Sequence, residues 1–159
     1  NTTLDIIENK ANIHQRELAN IYNLMGLCYR YIHDYKTALF FSTKSLNLAE
    51  DALGRGNPTL AYYLCNVGMC YKLLGRNQEA LIYEEKAESI CYNRRMLYAI
   101  IIGNLAEIYD GLGMQQEAIN LFNKSKKTIE EECLEYHPHL GLIRYHLGMF
   151  KLRTPSRWT

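Results

Sequence analysis

Two histidines flank a proline at His137-Pro138-His139, the place where imidazoles crowd enough to raise a metal site. A zinc site needs three or four ligands at short spacings, and no cysteine pair or second histidine pair stands at one. The five cysteines, Cys28, Cys65, Cys70, Cys91 and Cys133, form no Cys-x-x-Cys motif. Their odd number and wide spread fit reduced thiols packed as small apolar groups. Glu130-Glu131-Glu132 follows Lys124, Lys126 and Lys127 on one segment. Acids and bases three or four residues apart pair along a helix surface, so this run reads as a solvated face, not a carboxylate dyad. There is no glycine-rich phosphate loop, nucleophile elbow or metalloprotease helix. The residues point to no catalytic centre, no metal and no cofactor.

The remaining chemistry is recognition. The chain has 13 tyrosines in 159 residues. Tyrosine brings contact area at low entropic cost. A net charge of +1 is no electrostatic footprint for nucleic acid. No apolar run approaches the roughly 20 residues that span a bilayer. Hydrophobic residues make up 48%, enough for a packed core. These features favour a cytoplasmic module that binds protein, without nucleic acid or membrane.

The elements that must position these groups repeat. Leu18 to Tyr29, Leu60 to Tyr71 and Tyr98 to Tyr109 share one pattern, and Leu140 to Lys151 carries it with Lys151 in place of tyrosine. Their small residues Gly26, Gly68, Ala106 and Gly148 stand 42, 38 and 42 positions apart. Gly75 and Gly113 follow seven residues after the small residue, with His33 at that place in the first copy. Ala38, Ala80 and Ala118 follow after twelve, then the aromatics Phe41, Tyr83 and Phe122, then Ser45, Ala87 and Ser125. A period of this length marks stacked helical hairpins. Small residues on facing helices allow close approach, which predicts that Gly68 meets Ala80 with Tyr71 beside them. Gly75 and Gly113 fit a helix end of positive φ. Helices are expected at 3–14, 17–32, 35–53, 58–74, 77–92, 95–112, 115–134 and 138–152.

These positions resemble the tetratricopeptide repeat family. Its small residue, tyrosine, glycine and alanine match Gly68, Tyr71, Gly75 and Ala80, and again Ala106, Tyr109, Gly113 and Ala118. The 42-residue period, the Leu18-Ala19 and Leu60-Ala61 openings and the closes at Leu53-Gly54-Arg55-Gly56-Asn57-Pro58 and His137-Pro138 are similar to kinesin-light-chain repeats. The resemblance implies an all-α, right-handed α-solenoid of antiparallel hairpins: one array over 1–153, with repeats at 17–57, 58–95 and 96–137. Half repeats lie at 3–16 and 138–153, with a tail at 154–159. Thr3-Leu4-Asp5-Ile6 falls on Ser45-Leu46-Asn47-Leu48 in this register, so the chain is expected to be an excerpt of a longer protein. Uncapped ends are expected to self-associate or to be covered by Trp158 and the tail.

By the same resemblance the first helices line a concave groove. The positions carried over as peptide-binding are Asn23, Arg30, Tyr62, Asn66, Met69, Lys72, Asn104, Glu107 and Tyr145. Asn66 and Asn104 recur two residues before the small residue, and an amide offers donor and acceptor alike to a peptide main chain. Arg30 and Lys72 give a basic end, Glu107 and Asp110 an acidic one. The leading expectation is a non-catalytic scaffold or adaptor that holds a peptide or helix of a partner protein. The alternative is a ligand- or peptide-sensing module of a larger signalling or transcription-regulating protein.

Overall fold

The computed structural model describes residues 3–91, 93–132 and 137–153. Seven helices and no strand occur among them: α1 (Thr3–Tyr31), α2 (Tyr35–Leu53), α3 (Leu60–Leu73), α4 (Asn77–Ile90), α5 (Arg95–Gly111), α6 (Gln115–Glu131) and α7 (Pro138–Arg153). The chain divides into two compact units, Asn1–Cys91 and Tyr92–Thr159. In the first, α1 pairs with α2 and α3 with α4, and α2 packs on α3. In the second, α5 pairs with α6 and α6 packs on α7. Trp158 and the tail lie outside the described residues.

One expected break is absent. The helices foreseen at 3–14 and 17–32 are a single helix of 29 residues. The cause is local. At the true α2–α3 loop the chain carries Gly54 at φ +80°, then Gly56 and Pro58. One period earlier the same positions hold Asn12, His14 and Arg16, none of which stops a helix as glycine or proline does.

The turns inside the hairpins are alike. His33, Gly75 and Gly113 adopt φ of +64°, +74° and +81°. Each donates its N–H to the carbonyl three residues back, and the next residue donates to the carbonyl of Tyr29, Tyr71 or Tyr109. This paired closure satisfies the orphan carbonyls at a helix end and needs a left-handed residue. Asp34 then caps α2: its Oδ1 accepts the Thr37 N–H at 3.1 Å. That bond holds the Asp34 carboxyl below its ordinary pKa.

The side chain nearest each glycine of the first unit's hairpins lies one turn beyond the alanine expected there. A Cβ on Gly68 would stand 3.0 Å from Glu84 Cγ, and one on Gly26 would stand 2.6 Å from Ser42 Oγ. Both neighbours lie sixteen residues after the glycine, one helical turn beyond Ala80 and Ala38, which are buried as well. Gly26 does touch the Ala38 carbonyl, but the side chain that fills the space is the later one. Phe122 stands sixteen after Ala106 and so belongs to the Ser42 and Glu84 position, not with Phe41 and Tyr83. Those two stack on Tyr29 and Tyr71, each with ring centroids 5.4 Å apart. Phe122 instead stacks on His146 at 4.9 Å and joins Ile129, Leu140, Ile143 and Phe150 in the core of the second unit. Ser45 and Ser125 each donate from Oγ to a first-helix carbonyl, of Ala19 and Ala99, at 2.6 Å. Gly148, expected at a close approach, has open space around it among the described residues.

Gly68→Leu overpacks the Glu84 contact and lowers stability by about 1–3 kcal/mol in urea denaturation, whereas Gly148→Ala raises it by roughly 0.5–1 kcal/mol, the helix-interior cost of glycine. A Gly68→Leu protein as stable as the parent contradicts this pairing. Asp34→Ala lowers the melting temperature at neutral pH. Because the folded carboxyl titrates below 3.8, the benefit is present above that pH and lost as pH falls through the folded pKa, so parent and variant converge in acid. A difference unchanged down to strong acid refutes the assignment.

Candidate binding groove

The groove of the first unit is built from one face of α1 and one of α3. Leu27, Arg30 and Tyr31 of α1, His33 and Tyr35 of the turn and start of α2, and Met69 and Leu73 of α3 line a depression of about 860 Å³. Of the residues expected from sequence, Arg30 and Met69 are in its wall. Arg30 is half-buried and makes no ion pair among the described residues. Tyr31 is exposed at the rim. His33 Nδ1 and Tyr35 Oη lie 2.7 Å apart on the exposed side of the turn.

Further along the same two helices is a polar ladder. Asn66 Nδ2 donates to Asn23 Oδ1 at 2.8 Å, Asn23 Nδ2 donates to Tyr62 Oη at 3.2 Å, and Tyr63 Oη donates to Asn20 Oδ1 at 2.7 Å. Asn23 and Asn66 are buried, whereas Tyr62 is exposed. Burial raises the Tyr63 pKa, with Tyr62 adding to it, so the phenol stays protonated and can donate. The asparagines therefore join α1 to α3 and spend part of their bonding capacity inside the protein. Asn66 Oδ1 accepts no bond among the described residues. Lys72 is half-buried one turn beyond Met69. Cys70 faces Ser42 Oγ at 3.6 Å, and burial pushes its thiol pKa up, which suits packing and not reactivity.

In the second unit Asn104 is buried, Glu107 half-buried and Tyr145 exposed. Tyr145 packs edge-on against His146, 5.5 Å between centroids. Asp110, read as acidic groove surface, is held by Arg153 Nη1 at 3.1 Å, so its charge is largely met within the unit. Sequence reasoning missed Tyr31, His33, Tyr35 and Leu73 because the carried-over positions stop short of the turn. The left-handed turn that brings them together was signalled by His33 at the Gly75 and Gly113 position. His137, weighed as a ligand, accepts the His139 N–H on Nδ1 at 3.2 Å, as Asn57 Oδ1 accepts that of Thr59 at 2.9 Å. Both bonds tighten the turn that leads into a helix.

Models of the tetratricopeptide repeat match residues 17–93 and 99–130. The chain belongs to the tetratricopeptide repeat family. Its repeats are kinesin-light-chain-like: kinesin light chain-related protein 1 of Arabidopsis thaliana is 28% identical over 153 residues, 89% of this chain and 25% of that protein. The chain thus spans about a quarter of that relative. The putative kinesin light chain repeats of Podosopora anserina superpose with a TM-score of 0.73 at 18% identity, over 86% of this chain and 66% of theirs. BtubC of P. vanneervenii gives 0.66 at 20%, over 76% and 49%. The Arabidopsis OM64 TPR domain gives 0.65 at 16%, over 86% and 98%. The fold class is an all-α, TPR-like solenoid, and repeats of this family are protein-interaction scaffolds. No helix among the described residues is long and apolar enough to cross a membrane.

The ladder generates its own test. Asn23→Ala leaves the buried Asn66 amide without its acceptor and costs about 1–3 kcal/mol. Tyr63→Phe costs less, since it removes one donor at the edge. Equal loss of stability on thermal denaturation of the two variants contradicts the central place given to Asn23.

Proposed function

We propose that the protein is a non-catalytic adaptor, acting in the cytoplasm, whose first unit holds an extended peptide of a partner protein. The observation that carries this reading is the α1–α3 groove, apolar along Leu27, Met69 and Leu73 and edged by the half-buried Arg30. An apolar side chain of the peptide fills the depression. An acidic neighbour in the peptide meets Arg30, with Lys72 adding charge. The peptide main chain donates to Asn66 Oδ1, which Asn23 holds in place, and Tyr62 lies against the peptide from the exposed side. Main-chain bonds then supply affinity and the pocket supplies sequence choice. Asn104, Glu107 and Tyr145 are the corresponding contact candidates on the second unit. Nucleic acid is no partner in this reading, because the chain is close to neutral.

A peptide-array screen followed by calorimetry tests it. Asn66→Ala and Met69→Glu should weaken the selected peptide by about 0.5–3 kcal/mol. Arg30→Glu should act mainly on the association rate and its salt dependence. A specific peptide that binds all three folded variants with full affinity places the site elsewhere and sinks the reading.

A further inference from the structure

His33 carries the chain through the left-handed region at φ +64°. Among the described residues no other residue but glycine does so, and Gly75 and Gly113 hold the same place in the other two copies. A side chain strains the backbone there, because the left-handed region crowds a Cβ that glycine lacks. Packing does not offset that cost: a Cβ on Gly75 or on Gly113 would meet no atom within 4 Å. The His33 ring touches Tyr35, edge-on with centroids 5.8 Å apart and with Nδ1 2.7 Å from Oη. Tyr35 too is peculiar to this copy, standing where the others have Asn77 and Gln115. The first turn alone thus bears a pair of polar rings, and both line the α1–α3 depression together with Arg30. Residues held in strained conformations gather at ligand contacts.

We propose that His33 is a specificity-determining residue of this groove, which grips a carboxylate of the bound peptide and grips it harder as pH falls. The inference rests on the peptide reading of the groove given above. Where the Tyr35 hydroxyl donates to Nδ1, the ring proton stands on Nε2, the nitrogen left to donate to the peptide. Imidazole is the side chain that changes charge between pH 8 and pH 5, whereas peptide carboxylates stay ionised down to about pH 4. Through that window a neutral hydrogen bond becomes a charge-assisted one. Arginine, lysine and tyrosine side chains do not titrate in it. Arg30 and Tyr31 of α1, Tyr35 and Lys36 of α2 and Lys72 of α3 therefore add no change of their own, and Met69 and Leu73 of the α3 wall are apolar. Asp34, whose carboxyl is held down by Thr37, is constant as well.

The probe is a peptide array printed in pairs that differ only in one aspartate or asparagine beside an apolar residue. It is read at about pH 5.5 and about pH 8, with calorimetry on the pairs retained. The aspartate member should bind the parent about two- to fivefold tighter at the lower pH, the range of an exposed ion pair, and the asparagine member equally at both. His33→Asn tolerates the left-handed turn. It should keep the fold, lose the pH effect and lessen the preference for aspartate. Without peptide, His33→Gly should melt about 2–4 °C above the parent, since strain leaves with the ring. A His33→Gly protein that melts at or below the parent shows that the turn needs the ring, and overturns the proposal. So does a pH effect that survives in His33→Asn. A flat pH profile in peptides that Met69→Glu releases overturns it too, and leaves the peptide reading standing. An array with no bound peptide at either pH sinks that reading and this inference together.

Discussion

Everything in these hairpins depends on how closely two helices can approach at one point. Gly26 and Gly68 remove the side chain that would keep the first helix away from the second. The residue sixteen later then sets what fills the gap: Ser42, Glu84 or Phe122. The stacked rings Tyr29–Phe41 and Tyr71–Tyr83 lie one step nearer the turn of the same hairpins. The left-handed turn that follows must then return the chain at a fixed distance from the contact, which is why the tyrosine carbonyl accepts the same closing bond in three copies. The serine clamps, Ser45 on Ala19 and Ser125 on Ala99, tie the far ends. Close packing leaves little tolerance for altering one of these without the others.

Much of this was legible from spacing. The recurrence of small residue, tyrosine, glycine and alanine marks hairpins, and helix ends agree within a few residues wherever a glycine or proline punctuates them. The reading failed where punctuation was absent. Residues 12–16 keep the register of a loop but have lost its breakers, and a period count cannot see that. Phe122 misled for a related reason. It stands one residue from the Phe41 and Tyr83 position, and on a helix one residue is about 100° of rotation. That is enough to move it from the ring stack to the core of the second unit.

The approach of the inner faces of α1 and α3 was legible in outline and not in its bonding. The inner-face positions of α1 and α3 do come together, and Arg30 and Met69 line the groove. Sequence alone does not tell an asparagine that offers its amide to a ligand from one that spends it on a neighbour. Asn23 and Asn66 bond each other because both helices present an amide at adjoining levels. Asp110 looked like open acidic surface until Arg153, 43 residues away, was seen to reach it. Such pairings are set by tertiary approach, which no local pattern encodes.

A first helix of this repeat has to serve two surfaces at once, one toward the groove and one toward the helix that precedes it. On α3 the division is plain: Asn66 and Met69 turn to α1 and the groove, while Cys70 turns to α2. On α1 the Asn23 amide of the groove side is met by α3, and the side that carries Ile21 and Cys28 is exposed. The ladder that fixes Asn23 also fixes the rotation of α1 about its axis. Rotating α1 to bury Ile21 and Cys28 within its own unit would break Asn23 from Asn66 and Tyr62, and buried amides do not give up partners cheaply. The exposed stripe is therefore a consequence of the groove's geometry: the bonds that hold the groove together keep the apolar face turned outward.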